Sequence, residues 1–278
     1  MNTIRETLSV LQQRGLDRLD AQMLVLLTLQ RGPHDRAWLM AHDGDALPAD
    51  SAVRLETLVQ RRQRGEPMAY LRGNQEFFGL QLQVDTRVLV PRPDTETLVN
   101  WALELVGAGS SVARVLDLGT GSGAIALALA SQRPLATVSA TDESEDALAV
   151  ARSNAKSLDL PVRFHVGSWL NAVPGQRFDV IVTNPPYIAD NDPHLAALAH
   201  EPLTALTAGV DGLDDIRNII NNAPQALVPS GWLLIEHGFD QAAAVRGLLQ
   251  ATGFEQVSSR TDLAAIERCS GGQWPQAR

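Results

Sequence analysis

The sequence predicts an α/β protein, a mostly parallel sheet with helices on both faces, joined by a β-hairpin to a small all-α N-terminal domain. Three observations carry this reading. Residues 3–64 show helical periodicity, the period shortens to two at Gln75, and beyond Pro93 helical and strand patterns alternate. Repeated βα units bury a parallel sheet beneath helices on either side. The expected divisions are 1–72 for a helical domain, 73–93 for a β-hairpin linker and 94–278 for the sheet domain.

In the first division Ile4, Leu8 and Leu11 share one face, and Leu19, Met23, Leu26 and Leu27 build a second stripe. Asp50 or Ser51 can cap a third helix that ends before Gly65. The segment 76–84 alternates, Asp85 and Thr86 punctuate it, and 87–90 alternates or runs apolar again. That reads as a hairpin leading into Pro91-Arg92-Pro93. A helix at 95–106 then precedes strand 114–118 and helix 122–131. Strand 138–141, helix 144–157, strand 162–166 and strand 178–183 follow. Helix 211–226, strand 232–236, helix 239–251 and two strand-like runs complete the set. Ligands in such sheets sit at the carboxyl ends of the strands, near the point where strand order reverses.

Composition narrows the function classes. The chain has 278 residues, 45% hydrophobic and 20% charged, as in a globular protein of two domains. No apolar run approaches the roughly 20 residues that span a bilayer, so no membrane partner is expected. The first residues read as a charged helix rather than a signal sequence. A single cysteine, Cys269, excludes an internal disulfide framework and fits a reducing cytoplasm. Net charge is −9 and unevenly placed: residues 1–72 carry 10 Arg against 9 acids, the remainder 13 Lys plus Arg against 23 acids. A protein that grips nucleic acid by its phosphates usually has the opposite sign. Direct nucleic-acid binding is therefore not expected. Arg61, Arg62 and Arg64 form either a small docking patch or a solvated helix end.

The chemistry lies at strand ends. The first strand of the sheet runs into Asp117-Leu118-Gly119-Thr120-Gly121-Ser122-Gly123 and then a helix. Glycines there admit positive φ and close backbone approach, and the helix start offers free N–H donors. The spacing is not the G-x-G-x-x-G that seats a pyrophosphate. Asp117 adds an acid where a cationic ligand end would be welcome. About 20 residues on, Asp142 can accept both hydroxyls of a ribose, or Asp142 or Ser144 can cap the next helix. Both hold at once with Asp142 on the ribose and Ser144 or Glu143 at the cap. Trp169, in Gly167-Ser168-Trp169, can lie against an adenine or simply fill core. The fourth strand enters Asn184-Pro185-Pro186-Tyr187. Two prolines force an extended path and remove N–H donors. The Asn184 amide oxygen and the Pro185 carbonyl can then accept both hydrogens of an –NH2 group, fixing its nitrogen for in-line methyl transfer.

Together these segments resemble class I methyltransferases that act on planar nitrogen, with a Rossmann-like sheet. Further segments narrow the likeness: Gly65–Tyr70, Glu76–Leu80, Val88–Glu96, Glu201-Pro202, Ala208–Leu213 and Ile235–Gly238. With them the chain resembles the release factor glutamine methyltransferase family over nearly its whole length. The resemblance implies S-adenosyl-L-methionine as cofactor, with S-adenosyl-L-homocysteine as product. It implies the Gly-Gly-Gln glutamine of peptide chain release factors as substrate. Carried onto this chain, Gly119, Thr120, Gly121, Ser122, Gly123, Asp142 and Trp169 hold the cofactor, with Asn184 at its edge. Asn184 and Pro185 hold the glutamine amide, and Pro186 and Tyr187 wall its pocket. Two residues depart from the pattern: Asp94 where glutamate is common, and Ser168 where an acid often faces the adenine amino group.

Such chemistry needs no dedicated base, since an N-methylated amide carrying an extra proton is strongly acidic. No histidine and no metal is required, and packing suits His237. The alternative with the same chemistry is an adenine-N6 methyltransferase on DNA or RNA, against which the acidic second division argues. A binding module without turnover is the other. The helical domain, 1–72, is expected to recognise substrate. Gly271-Gly272-Gln273 repeats the substrate tripeptide near the C-terminus, either by coincidence or as a tail able to enter a cleft.

Overall fold

The computed structural model describes residues 2–48, 50–107 and 112–276. Internal contacts divide the chain into two units, Met1–Gly73 and Asn74–Arg278.

The first unit holds α1 (Ile4–Gln13), α2 (Arg18–Thr28), α3 (Arg36–Ala41), α4 (Ser51–Gln63) and α5 (Met68–Arg72). A reciprocal capping box starts α1: Thr3 Oγ1 accepts from the Glu6 amide, and Glu6 Oε2 from the Thr3 amide. Of the expected second stripe Leu26 is buried, but the rest of the inward face differs. Asp17 caps α2 and sets its phase, so Ala21, Leu24, Val25 and Thr28 face inward. Leu19 is left 44% exposed. Asp50 precedes α4 but makes no side-chain cap. Two arginines of the basic cluster brace this unit from within. Arg61 pairs with Glu66 at 2.5 Å, and Arg62 Nε with Asp20 at 2.5 Å.

The second unit opens with a hairpin, β1 (Asn74–Phe77) against β2 (Leu80–Gln83). Its turn is Phe78-Gly79, with φ of 51° and 78°, as a tight two-residue turn requires. This corrects the expected hairpin of 73–93, which placed the turn at Asp85-Thr86. Residues 87–90 are not a strand. Asp85 folds back on the Arg87 and Val88 amides, and the Val90 amide donates to Glu201 Oε2 at 3.0 Å. Nor is the hairpin a free linker. Asn154 Oδ1 accepts from the Gln83 amide at 2.7 Å, and its Nδ2 donates to the carbonyls of Gln83 and Ser122.

The sheet is built from β3 (Arg114–Leu118), β4 (Thr137–Asp142), β5 (Val162–Val166), β6 (Phe178–Thr183), β7 (Leu227–Glu236), β8 (Glu255–Thr261) and β9 (Glu267–Gln273). Their order is β5-β4-β3-β6-β7-β9-β8; the first five are parallel and β9 runs antiparallel to both neighbours. Order reverses between β3 and β6, which opens a crevice at their carboxyl ends. The connecting helices are α6 (Glu96–Val106), α7 (Ala124–Gln132), α8 (Glu145–Leu158), α9 (Asp214–Ala226) and α10 (Ala242–Thr252). Two apolar layers sandwich the sheet, one around Leu98, Leu127 and Val182, the other around Leu116, Ile181 and Ile219. The tripeptide Gly271-Gly272-Gln273 is part of β9, paired on both sides. It is not a tail that can reach a cleft.

Candidate active site

At the end of β3 the chain turns through Gly119, Gly121 and Gly123, with φ of 68°, 55° and 86°. Such angles disfavour side chains. Asp117 braces the turn from beneath. It is fully buried, its Oδ2 accepts from Thr120 Oγ1 at 2.6 Å and from the Ala126 amide at 3.1 Å, and its Oδ1 has no partner. Burial pushes its carboxyl up to about 7. Asp142, ending β4, takes the Gly121 amide on Oδ2 at 2.9 Å and the Ser144 amide on Oδ1 at 3.0 Å. Ser144 itself caps α8. Ser144, not Asp142, is therefore the cap, and Asp142 lines the cavity.

Beyond β5, Trp169 stands at φ 48° with its indole against Gly119. A Cβ on Gly119 would come within 3.1 Å of Trp169 Cζ3. The indole Nε1 donates to Asp215 Oδ1, on the first turn of α9, at 3.2 Å. These groups wall a cavity of about 310 Å³ whose lining includes Gly119, Gly121, Asp142, Ser168, Trp169, Asn184, Pro186 and Asp215. Residues 87–89 and Pro202, Thr204 and Ala205 line it too. Glu201 ties those two segments together through the Val90 amide and an ion pair with Arg92.

Of the residues singled out in the sequence, Gly119, Gly121, Asp142, Trp169, Asn184 and Pro186 reach the cavity wall. Thr120, Ser122, Gly123, Pro185 and Tyr187 do not. Thr120 and Ser122 are buried beneath the loop, and Gly123 packs on Leu127 and Ala151. Tyr187 lies against the second apolar layer. Its carbonyl is held by Gln241 Nε2 at 3.0 Å and crowds Gly212, where any Cβ would collide with it. Burial, then the nearby Glu236 carboxylate, pushes the Tyr187 hydroxyl upward. Asn184 Nδ2 donates to Thr95 Oγ1 at 3.3 Å. Thr95 therefore belongs to the site although sequence reasoning gave it no role. It lies inside the segment Val88–Glu96, but its proximity to Asn184 is a tertiary fact.

The match to protein-family models is in two parts: a methyltransferase small domain over residues 103–251 and a PrmC N-terminal domain over residues 2–73. A release factor glutamine methyltransferase of Bordetella pertussis is 50% identical over 266 residues, covering 95% of this chain and 97% of that one. The chain belongs to the release factor glutamine methyltransferase family. Its relative of that name in Coxiella burnetii is 46% identical, covering 90% of each chain. The family's sheet recurs in a methyltransferase from Pyrococcus furiosus, with TM-score 0.56 at 18% identity over 78% of this chain and 98% of that one. That likeness is one of fold. Family membership and the cavity at the β3–β6 crevice make the chain a methyltransferase.

Proposed function

We propose that this chain transfers a methyl group from S-adenosyl-L-methionine to the side-chain amide nitrogen of the Gly-Gly-Gln glutamine in peptide chain release factors, in the cytoplasm. The observation that carries the reading is the placement of Asn184 on the same cavity as Gly119, Gly121 and Asp142. The relatives' names favour glutamine over adenine as acceptor.

The residues fit an adenosyl cofactor. Gly119 leaves bare backbone beside a tryptophan face, and Asp142 keeps lone pairs for hydroxyls after taking one amide on each oxygen. Bound there, the cofactor supplies an activated methyl group. What the chain supplies is aim. An amide nitrogen is a poor nucleophile, its lone pair being delocalised into the carbonyl. Asn184 Oδ1, on the cavity wall, would accept from that –NH2 group, hold its nitrogen in place and stabilise the positive charge it gains; Pro185 lies off the wall and carries no part of this reading. Ser168 and Asp215 line the same cavity and would offer acceptors to an adenine amino group.

The test is incubation with S-adenosyl-L-methionine and a release factor, followed by peptide mass spectrometry for one methyl on the Gly-Gly-Gln glutamine. Asn184→Ala should lower turnover roughly a hundredfold, about 3 kcal/mol, with cofactor affinity nearly intact. Wild-type turnover in that variant would remove Asn184 from the mechanism.

A further inference from the structure

Pro185 and Pro186 carry no N–H, so the stretch that follows Asn184 offers carbonyls but no donors of its own. The carbonyl that ends this stretch, on Tyr187, finds its donor in a distant side chain. Gln241 lies in the turn between β7 and α10. Its Nε2 donates to the Tyr187 carbonyl at 3.0 Å and to the Asp211 carbonyl at 3.2 Å. The Gln241 amide has one way to lie. Its Oε1 accepts from the Gly238 amide at 2.8 Å, and turning it over would set –NH2 against that N–H and Oε1 against two carbonyls. The Gln241 backbone amide closes the same turn on the Gly238 carbonyl at 3.1 Å. The side chain is thereby fixed to the end of β7.

What it holds there is a pair of segments. Past Tyr187, the Ile188 amide donates to the Leu206 carbonyl at 2.9 Å, and the Ile188 carbonyl accepts from the Ala208 amide at 3.0 Å. The Asp190 amide adds a bond to the Gly209 carbonyl at 2.9 Å. Gln241 joins these zipped segments at Tyr187 on one side and Asp211 on the other. Gly212 lets them close, since a Cβ there would lie 2.2 Å from the Tyr187 carbonyl oxygen and 3.0 Å from Gln241 Nε2.

Gln241 itself is not on the cavity wall. Its influence on methyl transfer passes along the loop. Proline rings hold φ at about −65°, so few soft torsions separate Asn184 from the Tyr187 carbonyl. A shift at one end of so stiff a stretch is felt at the other. We infer that Gln241 is a positioning residue: by fastening the Tyr187 carbonyl to the end of β7, it sets where Asn184 presents its amide to the glutamine nitrogen. The inference rests on the reading of Asn184 as an acceptor for the substrate amide.

The experiment is steady-state kinetics of the full chain on an intact release factor, with kcat referred to the folded fraction and cofactor affinity read by calorimetry. The variants are Asn184→Ala, Gln241→Ala, Gln241→Glu and the Asn184→Ala/Gln241→Ala pair. Gln241→Ala should lower kcat roughly ten- to hundredfold, with cofactor affinity and release-factor KM within about twofold of wild type, since misplacement far from the chemistry is felt in the reacting geometry. Gln241→Glu keeps the acceptor for Gly238 but sets a carboxylate against both carbonyls, and should be at least as slow. In the Asn184→Ala background Gln241→Ala should cost no more than about twofold further, because the group it positions is gone. Gln241→Met, which fills the same space without a donor, replaces Gln241→Ala should that variant fail to fold. A slow Asn184→Ala beside Gln241→Ala at wild-type kcat overturns the positioning role, whatever happens to Tm or KM. Equal fold losses in the two backgrounds overturn it too, as does a cofactor affinity weakened enough to account for the loss. Wild-type kcat in Asn184→Ala instead overturns the acceptor reading itself.

Discussion

The Gly121 amide donates to Asp142 Oδ2 at 2.9 Å, so the acid at the end of β4 shapes the glycine loop as well as facing the cavity. Asp142→Ala removes a loop brace and a cavity acceptor together. It is expected to weaken S-adenosyl-L-methionine binding by about 1.5–3 kcal/mol, the usual worth of a charge-assisted bond. Isothermal calorimetry reads this directly. Unchanged affinity would confine Asp142 to holding the loop.

Gly119 and Trp169 make a second pair of this kind. A methyl group at Gly119 meets Trp169 Cζ3 at 3.1 Å on a backbone held at φ 68°. Gly119→Ala is therefore expected to displace the indole and weaken cofactor binding about tenfold or more, from strain of roughly 1–3 kcal/mol. Trp169→Phe keeps a ring but loses the bond to Asp215, and should cost less, about 1 kcal/mol. Calorimetric titration of the two variants side by side ranks them, and the opposite ranking would take the indole out of the cavity wall.

Glu236 and Asp117 give the fold a signed dependence on pH. Burial raises each carboxyl to about 7 in the folded chain, from ordinary values of 4.5 and 3.8. A raised folded value means that the fold favours the neutral acid. The associated stability is present in full below the unfolded value and is lost as pH rises towards about 7. For Glu236 alone the loss is on the order of 3 kcal/mol. Glu236→Gln should thus gain Tm relative to wild type between pH 4.5 and pH 7 and hold the gain above it. A Tm difference that stays flat across that window would contradict the assignment.

Gly271 sits where β9 passes under Leu234 and Trp101. An added Cβ would lie 2.5 Å from Leu234 Cδ2 and 2.8 Å from the Leu233 carbonyl oxygen. Gly271→Ala is expected to destabilise the protein by about 1–3 kcal/mol through overpacking, read as a lowered denaturant midpoint. Gln273, whose Nε2 donates to the Ser230 carbonyl at 3.0 Å, should gain no mass on incubation with cofactor alone. Methylation at Gln273 would mean that β9 leaves the sheet.

The sequence alone determined those features that local physics encodes. Period two against period 3.6 separates strands from helices, so β5 and β6 are legible to the residue. Glycine spacing after Asp117 and the paired prolines after Asn184 mark strand ends that carry chemistry, because few other residues tolerate those backbone paths. Where a competing polar partner decides, sequence pattern fails. The apolar alternation of 87–90 is that of a strand, yet Asp85 and Glu201 take its amides. Leu19 looks inward by periodicity, yet the Asp17 cap rotates α2 so that Ala21 and Leu24 are buried instead. The Gly-Gly-Gln run near the C-terminus reads as a tail until two strands pair with it. Only the tertiary structure brought Thr95 to Asn184. Those two residues lie in separate segments, and what joins them is the packing of α6 against β6. A hydrogen bond between distant segments, such as that from Asn184 to Thr95, leaves no periodic trace along the sequence, since it depends on which groups the fold buries side by side.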